Sequence, residues 1–205
     1  MLFNTNLRAK QSYDWLVTGL SPSAVRDARA QAADMAGFQT MGRCTSTVNA
    51  IFYGDNEPAT ACLQRQVKEW IHTWKFEVHA QARLRQGWQH ILDKFQHMRP
   101  RGRWNTVPGP MGSFILALQQ LGWKPLRPDL WEDPHCNQWK FCDEDELDFK
   151  DIMQAIAKDM DQPIWSNASH HYYGKGMQHG MDTTMLKRTI QRLRKADRAQ
   201  EAGAL

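Results

Sequence analysis

Residues 104–123 read WNTVPGPMGSFILALQQLGW, and the rest of the chain is arranged around this stretch. Pro108-Gly109-Pro110 breaks whatever precedes it. Phe114, Ile115, Leu118 and Leu121 then recur at helical spacing, which predicts a short central helix with these side chains in a core. Gly122 stands where a helix-ending glycine with positive φ belongs. A long basic region lies before this helix, and a tryptophan-rich, partly acidic region follows it.

Working back from the centre, Pro58 to Met98 carries a strong helical pattern in Val67, Ile71, Trp74, Val78, Trp88, Leu92 and Phe95. A break near Val78–Gln81, or at Gly87, would split it into two helices. His72, His79, His90 and His97 lie along it at mixed spacing, without the carboxylate support of a ligand pair, and read as solvated. Pro100 closes the region. Arg99-Pro100-Arg101-Gly102-Arg103-Trp104 is the sharpest local feature. Arginines around a proline and a glycine, beside an indole, suit phosphate contact and base stacking. A basic solvated linker is the plainer reading.

Further upstream, Asn6–Leu16 reads as a helix ended by Gly19. Ser21-Pro22 then opens another, with a hydroxyl cap and a proline at the first helical position. Val25, Ala28, Ala32 and Met35 form its apolar stripe, and Gly37 stops it. An αα-hairpin suits this pair better than a DNA-reading helix-turn-helix, because Arg26 and Arg29 are offset by Asp27 and Asp34. Thr45–Tyr53 is a short apolar element of either type. Tyr53-Gly54-Asp55-Asn56 invites comparison with a polymerase Y-x-D-D, but an amide stands where the second metal-binding carboxylate is needed, so it reads as a turn.

Downstream of Trp123, proline-marked bends precede an alternating pattern in Trp139 and Phe141. A small β-hairpin is expected, pairing Leu130–Asp133 with Gln138–Cys142. His135, Cys136 and Cys142 lack the close pairing and fourth ligand of a zinc site. Asp143 with Glu146 resembles an acidic capping box for a helix carrying Ile152, Ile156 and Met160. Trp165–Gly180 reads as loop. Asp182 then caps a last helix with Leu186, Ile190 and Leu193 on one face. Lys187, Arg188, Arg192, Arg194, Lys195 and Arg198 on its other faces make a second basic cluster.

The expected fold is therefore mainly α: a multi-helix domain with one small β-hairpin after the central helix. Residues 1–100 would form a helical region and 101–205 the central helix, hairpin and C-terminal helices, or the two would be continuous. At 205 residues, 41% hydrophobic and 23% charged, the chain can bury a core. Nine tryptophans supply much of that area. A net charge of +4 permits a nucleic-acid or other anionic partner without requiring one. Met1-Leu2-Phe3 leads straight into polar residues and the four cysteines are scattered, so an intracellular chain with reduced thiols is expected, nucleus and cytoplasm being indistinguishable. No window is long and apolar enough to span a membrane.

Several pieces carry a family likeness: Gly19-Leu20-Ser21-Pro22-Ser23, Gly42-Arg43-Cys44-Thr45, Pro108–Gly112 running to Leu121-Gly122-Trp123, His171–Gly176 and Gly180-Met181-Asp182. Their order resembles a region of non-LTR retroelement polyproteins, of the kind abundant in dinoflagellate-like genomes. There a helical segment follows the reverse-transcriptase palm and precedes nuclease or zinc-binding modules. The resemblance implies a detached, noncatalytic piece. Paired palm aspartates and a C-x-x-C cluster are absent from this sequence, so polymerase activity is not carried over. The leading expectation is a module that meets RNA or DNA through Arg99, Arg101, Arg103, Lys187, Arg188, Arg192, Arg194 and Lys195, with Trp104 stacking. No catalytic residue, metal or cofactor is assigned. The alternatives are a protein-interaction scaffold, and a small metal-dependent hydrolase whose pocket the spacing does not reveal.

Overall fold

The structure, a computed structural model, describes residues 19, 21–36, 44–141, 149–171 and 174–196; of Asp55, Arg101, Ile190 and Arg194 only the backbone is described. The expected helix at Asn6–Leu16, the Gly37 stop and the Asp143 capping box lie outside these residues. The described fold is mainly helical with a small antiparallel sheet after the central helix.

Helix α1 runs Pro22–Met35. Ser21 caps it, its hydroxyl accepting from the Ala24 N–H. Ala28, Ala32 and Ala33 are buried, and small side chains let α1 lie close against α2 (Thr45–Phe52) and α3 (Pro58–Phe76). Thr45–Phe52, ambiguous in sequence, is thus helical, and its Tyr53 hydroxyl donates to the Ala32 carbonyl. A 3₁₀ turn, Gly54–Asn56, leads into α3. Glu57 caps α3, one carboxylate oxygen accepting from the Ala59 and Thr60 N–H groups.

The long helical region breaks at a 3₁₀ turn, Val78–Ala80, and resumes as α4, Gln81–Gln96. Gly87 sits inside α4 without interrupting it. Arg99 to Trp104 is no extended linker: residues Pro100–Thr106 form a 3₁₀ segment. Helix α5, Gly109–Gln120, is the central helix. It ends in the bonds of a Schellman motif: Trp123 N–H to Leu118 C=O and Gly122 N–H to Gln119 C=O, with Gly122 at φ 81°. Phe114, Ile115 and Leu118 are buried as expected. Leu121, at the cap, is only half-buried.

Strands β1 (Lys124–Arg127), β2 (Leu130–Glu132) and β3 (Gln138–Lys140) follow, antiparallel in that order. The expected hairpin is β2–β3, with Trp131 opposite Trp139. Strand β1 is an addition. Pro125 and Pro128 disguise it in sequence, yet a proline without an N–H suits an edge strand.

Helix α6 spans Phe149–Ser169 and corrects the loop expected from Trp165 onward. Pro163 lies inside it and cannot donate to the Asp159 carbonyl one turn back. Burial of Trp165 and Ala168 beyond the proline holds the last turns in place. Helix α7, Thr184–Lys195, closes the described chain; the Asp182 carboxylate accepts from the Thr184 N–H and is held below its usual pKa chiefly by that residue's hydrogen bonds.

One core cluster joins α3, α4, α5, the sheet and α6, from Leu63 to Ile156, and so draws on both sides of residue 100. Its aromatic members touch in a chain: Trp70 and Trp88 centroids are 4.9 Å apart, Phe114 and Trp131 5.3 Å, Trp131 and Phe141 4.6 Å. Trp70 donates to the Pro128 carbonyl at 2.9 Å and Trp88 to the Pro125 carbonyl at 3.0 Å. These two bonds staple helices α3 and α4 to the edge of the sheet.

Candidate nucleic-acid interface

The 3₁₀ segment after Arg99 lies beside the N-terminus of α1 and one face of α5. Between them is a cleft of about 670 Å³, lined by Ser21, Pro22, Ser23, Arg26, Pro100, Arg103, Trp104, Asn105, Leu116, Gln119 and Gln120. Among the described residues, both charged groups in that lining are arginines, and no carboxylate joins them. The first turn of α1 carries no acidic residue either, so the positive end of its dipole is uncancelled locally.

Each wall is held by packing. Gly19, at φ 70°, fits between α5 and the indole: a Cβ there would meet Ser113 Cβ at 2.6 Å and Trp104 Cζ3 at 3.1 Å. Trp104 is half-buried and packs against the core cluster while also lining the cleft. Arg103 is half-buried too. Its Nε donates to the Met98 carbonyl at 3.4 Å and its Nη1 to Gln119 Oε1 at 3.3 Å. Both acceptors are neutral, so the guanidinium is oriented while its charge stays available to an anion.

The structure sorts the expected site residues. Arg103 and Trp104 share the cleft. Arg99 is exposed at the N-cap of the 3₁₀ segment, and the Arg101 side chain lies outside the described set. On α7, Arg188, Arg192 and Lys195 are exposed; the Arg194 side chain is outside the described set. Lys187 is diverted to a separate, smaller cavity bounded by Arg29, Ser46, Gly54, Glu57, Thr60, Asp161, Trp165 and Thr183 among others. Among the described residues, none of the α7 cations lines the cleft.

Arg26 is the residue that sequence reasoning set aside. Balancing Arg26 and Arg29 against Asp27 and Asp34 treated the helix as one surface. The fold divides it instead. Arg29 is spent on an ion pair with Glu57, whereas Arg26 reaches the cleft. The signal available was position, one turn into a helix capped by Ser21. Ser23, Gln119 and Gln120 had no signal beyond being polar.

Among the described residues, no three histidines, cysteines, aspartates or glutamates stand together as a metal site, and no helix is long and apolar enough to cross a membrane. Cys136 is exposed at φ 66°, and His135 Nε2 lies 3.8 Å from Asp159 Oδ1. Comparison with protein-family models, with curated proteins and with solved structures returned no match.

Proposed function

We propose that this chain is a noncatalytic helical module that holds a short single-stranded nucleic-acid segment in the cleft between α1, the 3₁₀ segment and α5. The observation that carries this reading is the composition of the lining: two arginines, a half-buried tryptophan and side-chain amides, with no carboxylate among the described residues. Such a surface offers positive charge to phosphates and a π-face to a base. Arg99, exposed at the N-cap of the 3₁₀ segment, adds a further positive charge next to the cleft-lining residues. The retroelement-derived origin belongs to the same proposal and is supported by the sequence resemblance; intact palm and nuclease motifs in the flanking reading frame would bear on it directly.

Fluorescence anisotropy with single-stranded RNA and DNA across a salt series tests the binding. Affinity is expected to fall with salt by a log–log slope of about −0.7 per phosphate contacted. Arg26→Ala and Arg103→Ala are each expected to flatten that slope by roughly 0.7, alike for all sequences. No retention of either nucleic acid at low salt rejects the reading.

A second reading, a protein-interaction module, is favoured by one observation. Phe76 is 71% exposed and Val78 60% exposed, beside a mostly apolar groove formed with His72, Phe141 and Phe149. It stands in front if nucleic acid is not bound.

A further inference from the structure

The cavity that captures Lys187 is a different kind of place from the cleft. Its volume is about 170 Å³, far above the ~10–15 Å³ that a single water needs. Five helices and a turn contribute: Arg29 from α1, Ser46 from α2, Gly54 from the 3₁₀ turn, Thr60 from α3, Trp165 from α6 and Lys187 from α7. Lys187 Nζ lies over Gly54, 3.1 Å from where a Cβ would stand, so a side chain there would crowd the ammonium, and φ 52° favours glycine besides.

The lining is rich in donors and poor in acceptors. Glu57 is used up: one oxygen takes Arg29 Nε, and the other takes the Ala59 and Thr60 N–H groups. Arg29 Nη2 donates to Ser46 Oγ at 3.0 Å, which leaves the Ser46 proton available. Thr60 is 4% exposed, and its Oγ1 has no hydrogen-bond partner among the described residues. No carboxylate pairs with the Lys187 ammonium among those residues. A buried hydroxyl without a partner is unfavourable, and an ammonium paired with neither carboxylate of the lining is open to an anion. Asp161 also lines the cavity, but it is exposed at the rim, where solvent screens it.

We propose that this cavity is a phosphate-binding site, with Lys187 as the charged donor and Ser46, Thr60 and Thr183 as hydroxyl donors. Donors that arrive from separate elements surround the space. A tetrahedral oxyanion presents acceptors in all those directions, whereas a carboxylate presents them in one plane. The site does not rest on the nucleic-acid reading of the larger cleft. Its ligand is the phosphate group itself, whether free or at the end of a larger molecule.

The test is calorimetric titration of the full chain at fixed ionic strength with inorganic phosphate, sulfate and acetate. Saturable binding of phosphate, with sulfate comparable and acetate weaker by roughly tenfold or more, is expected. Lys187→Gln is expected to weaken phosphate by roughly tenfold or more. Asp161→Asn is expected to tighten it, and Arg103→Ala to leave it unchanged while altering oligonucleotide binding. Should Lys187→Gln fail to give native melting, Thr60→Val replaces it, with an expected loss of about fivefold. A 5′-phosphorylated oligonucleotide competing better than its 5′-hydroxyl twin places the phosphate on a nucleic-acid end; equal competition leaves free phosphate as the ligand. No saturable phosphate binding, acetate binding as tightly as phosphate, or an unchanged affinity in the folded Lys187→Gln variant overturns the proposal.

Discussion

The aromatic core and the polar seam between α1, α3, α6 and α7 solve burial in opposite ways. In the core, large rings remove area from water, and four of their polar tips reach acceptors: Trp70 and Trp88 find proline carbonyls, Trp123 finds Asp159 at 2.7 Å, and Trp139 finds Asp133 at 3.2 Å. In the seam, a charge pair, Arg29–Glu57, takes the place of apolar area, and a cavity persists beside it. The first region gains from every atom it packs. The second depends on Arg29 and Glu57 keeping each other, since desolvation opposes the pair. Rigidity comes from the core, and open chemistry is concentrated where packing stops.

The largest expected effect lies in the core. Trp88 is 1% exposed and touches both Trp70 and Phe114. Trp88→Ala is expected to cost about 3–5 kcal/mol, read by urea unfolding, with Phe114→Ala in the same range. Losses under about 1 kcal/mol would mean that the rings are loosely packed and the comparison is false.

In the seam, single and double changes are expected to part company. Glu57→Ala leaves the Arg29 guanidinium buried without its carboxylate and strips the cap from α3, for a loss of about 3 kcal/mol. Replacing both members, Arg29→Met with Glu57→Met, removes the stranded charge and is expected to cost only about 1 kcal/mol, the value of the lost cap. A double variant as unstable as the single would show that the pair is a net stabiliser and that the seam behaves like the core.

Much of this was readable in advance, and the failures share a cause. The Ser21-Pro22 start, the split near Val78 and the Gly122 stop are local signals, and local chemistry was enough for them. The β2–β3 hairpin followed from alternation. Strand β1 and the end of α6 from Trp165 were missed: prolines mark both stretches, yet pairing with β2 forms the strand and burial of Trp165 and Ala168 holds the helix end. The cleft was half legible. Arg103 and Trp104 lie close in sequence, but Arg26 joins them only because Gly19 lets the start of α1 pack on α5. The seam was not legible: its members span positions 29 to 187, and no spacing rule connects them.

Asp133 is a buried carboxylate in the turn after β2 that accepts from the Trp139 indole. Burial pushes its pKa up, but hydrogen bonds from Asn137, Trp139 and His135 outweigh that and hold it below the ordinary value. A depressed folded-state pKa contributes stability above the unfolded value of about 3.9, and that stability is lost as pH falls through the folded value. The chain is therefore expected to weaken below about pH 4. Asp133→Asn is expected to remove this part of the acid slope, measured as the melting temperature against pH. An unchanged slope would assign acid sensitivity to other carboxylates.

The smallest expected effect is the sharpest test of how the core treats a polar atom. Trp131 is 0% exposed, and its Nε1 has no partner among the described residues, unlike Trp88, whose Nε1 reaches Pro125. Tryptophan to phenylalanine removes similar volume at both sites, so the cavity term is comparable and the difference reports the N–H. At Trp88 the change also orphans the Pro125 carbonyl, adding roughly 1 kcal/mol to the packing loss. At Trp131 it deletes an unsatisfied donor, whose relief of about 1–3 kcal/mol offsets much of that loss. Trp131→Phe is therefore expected to be clearly milder than Trp88→Phe in urea unfolding, within about 1 kcal/mol of the parent chain. Equal losses at the two positions would mean that the Trp131 indole is satisfied in solution, by an ordered water for instance.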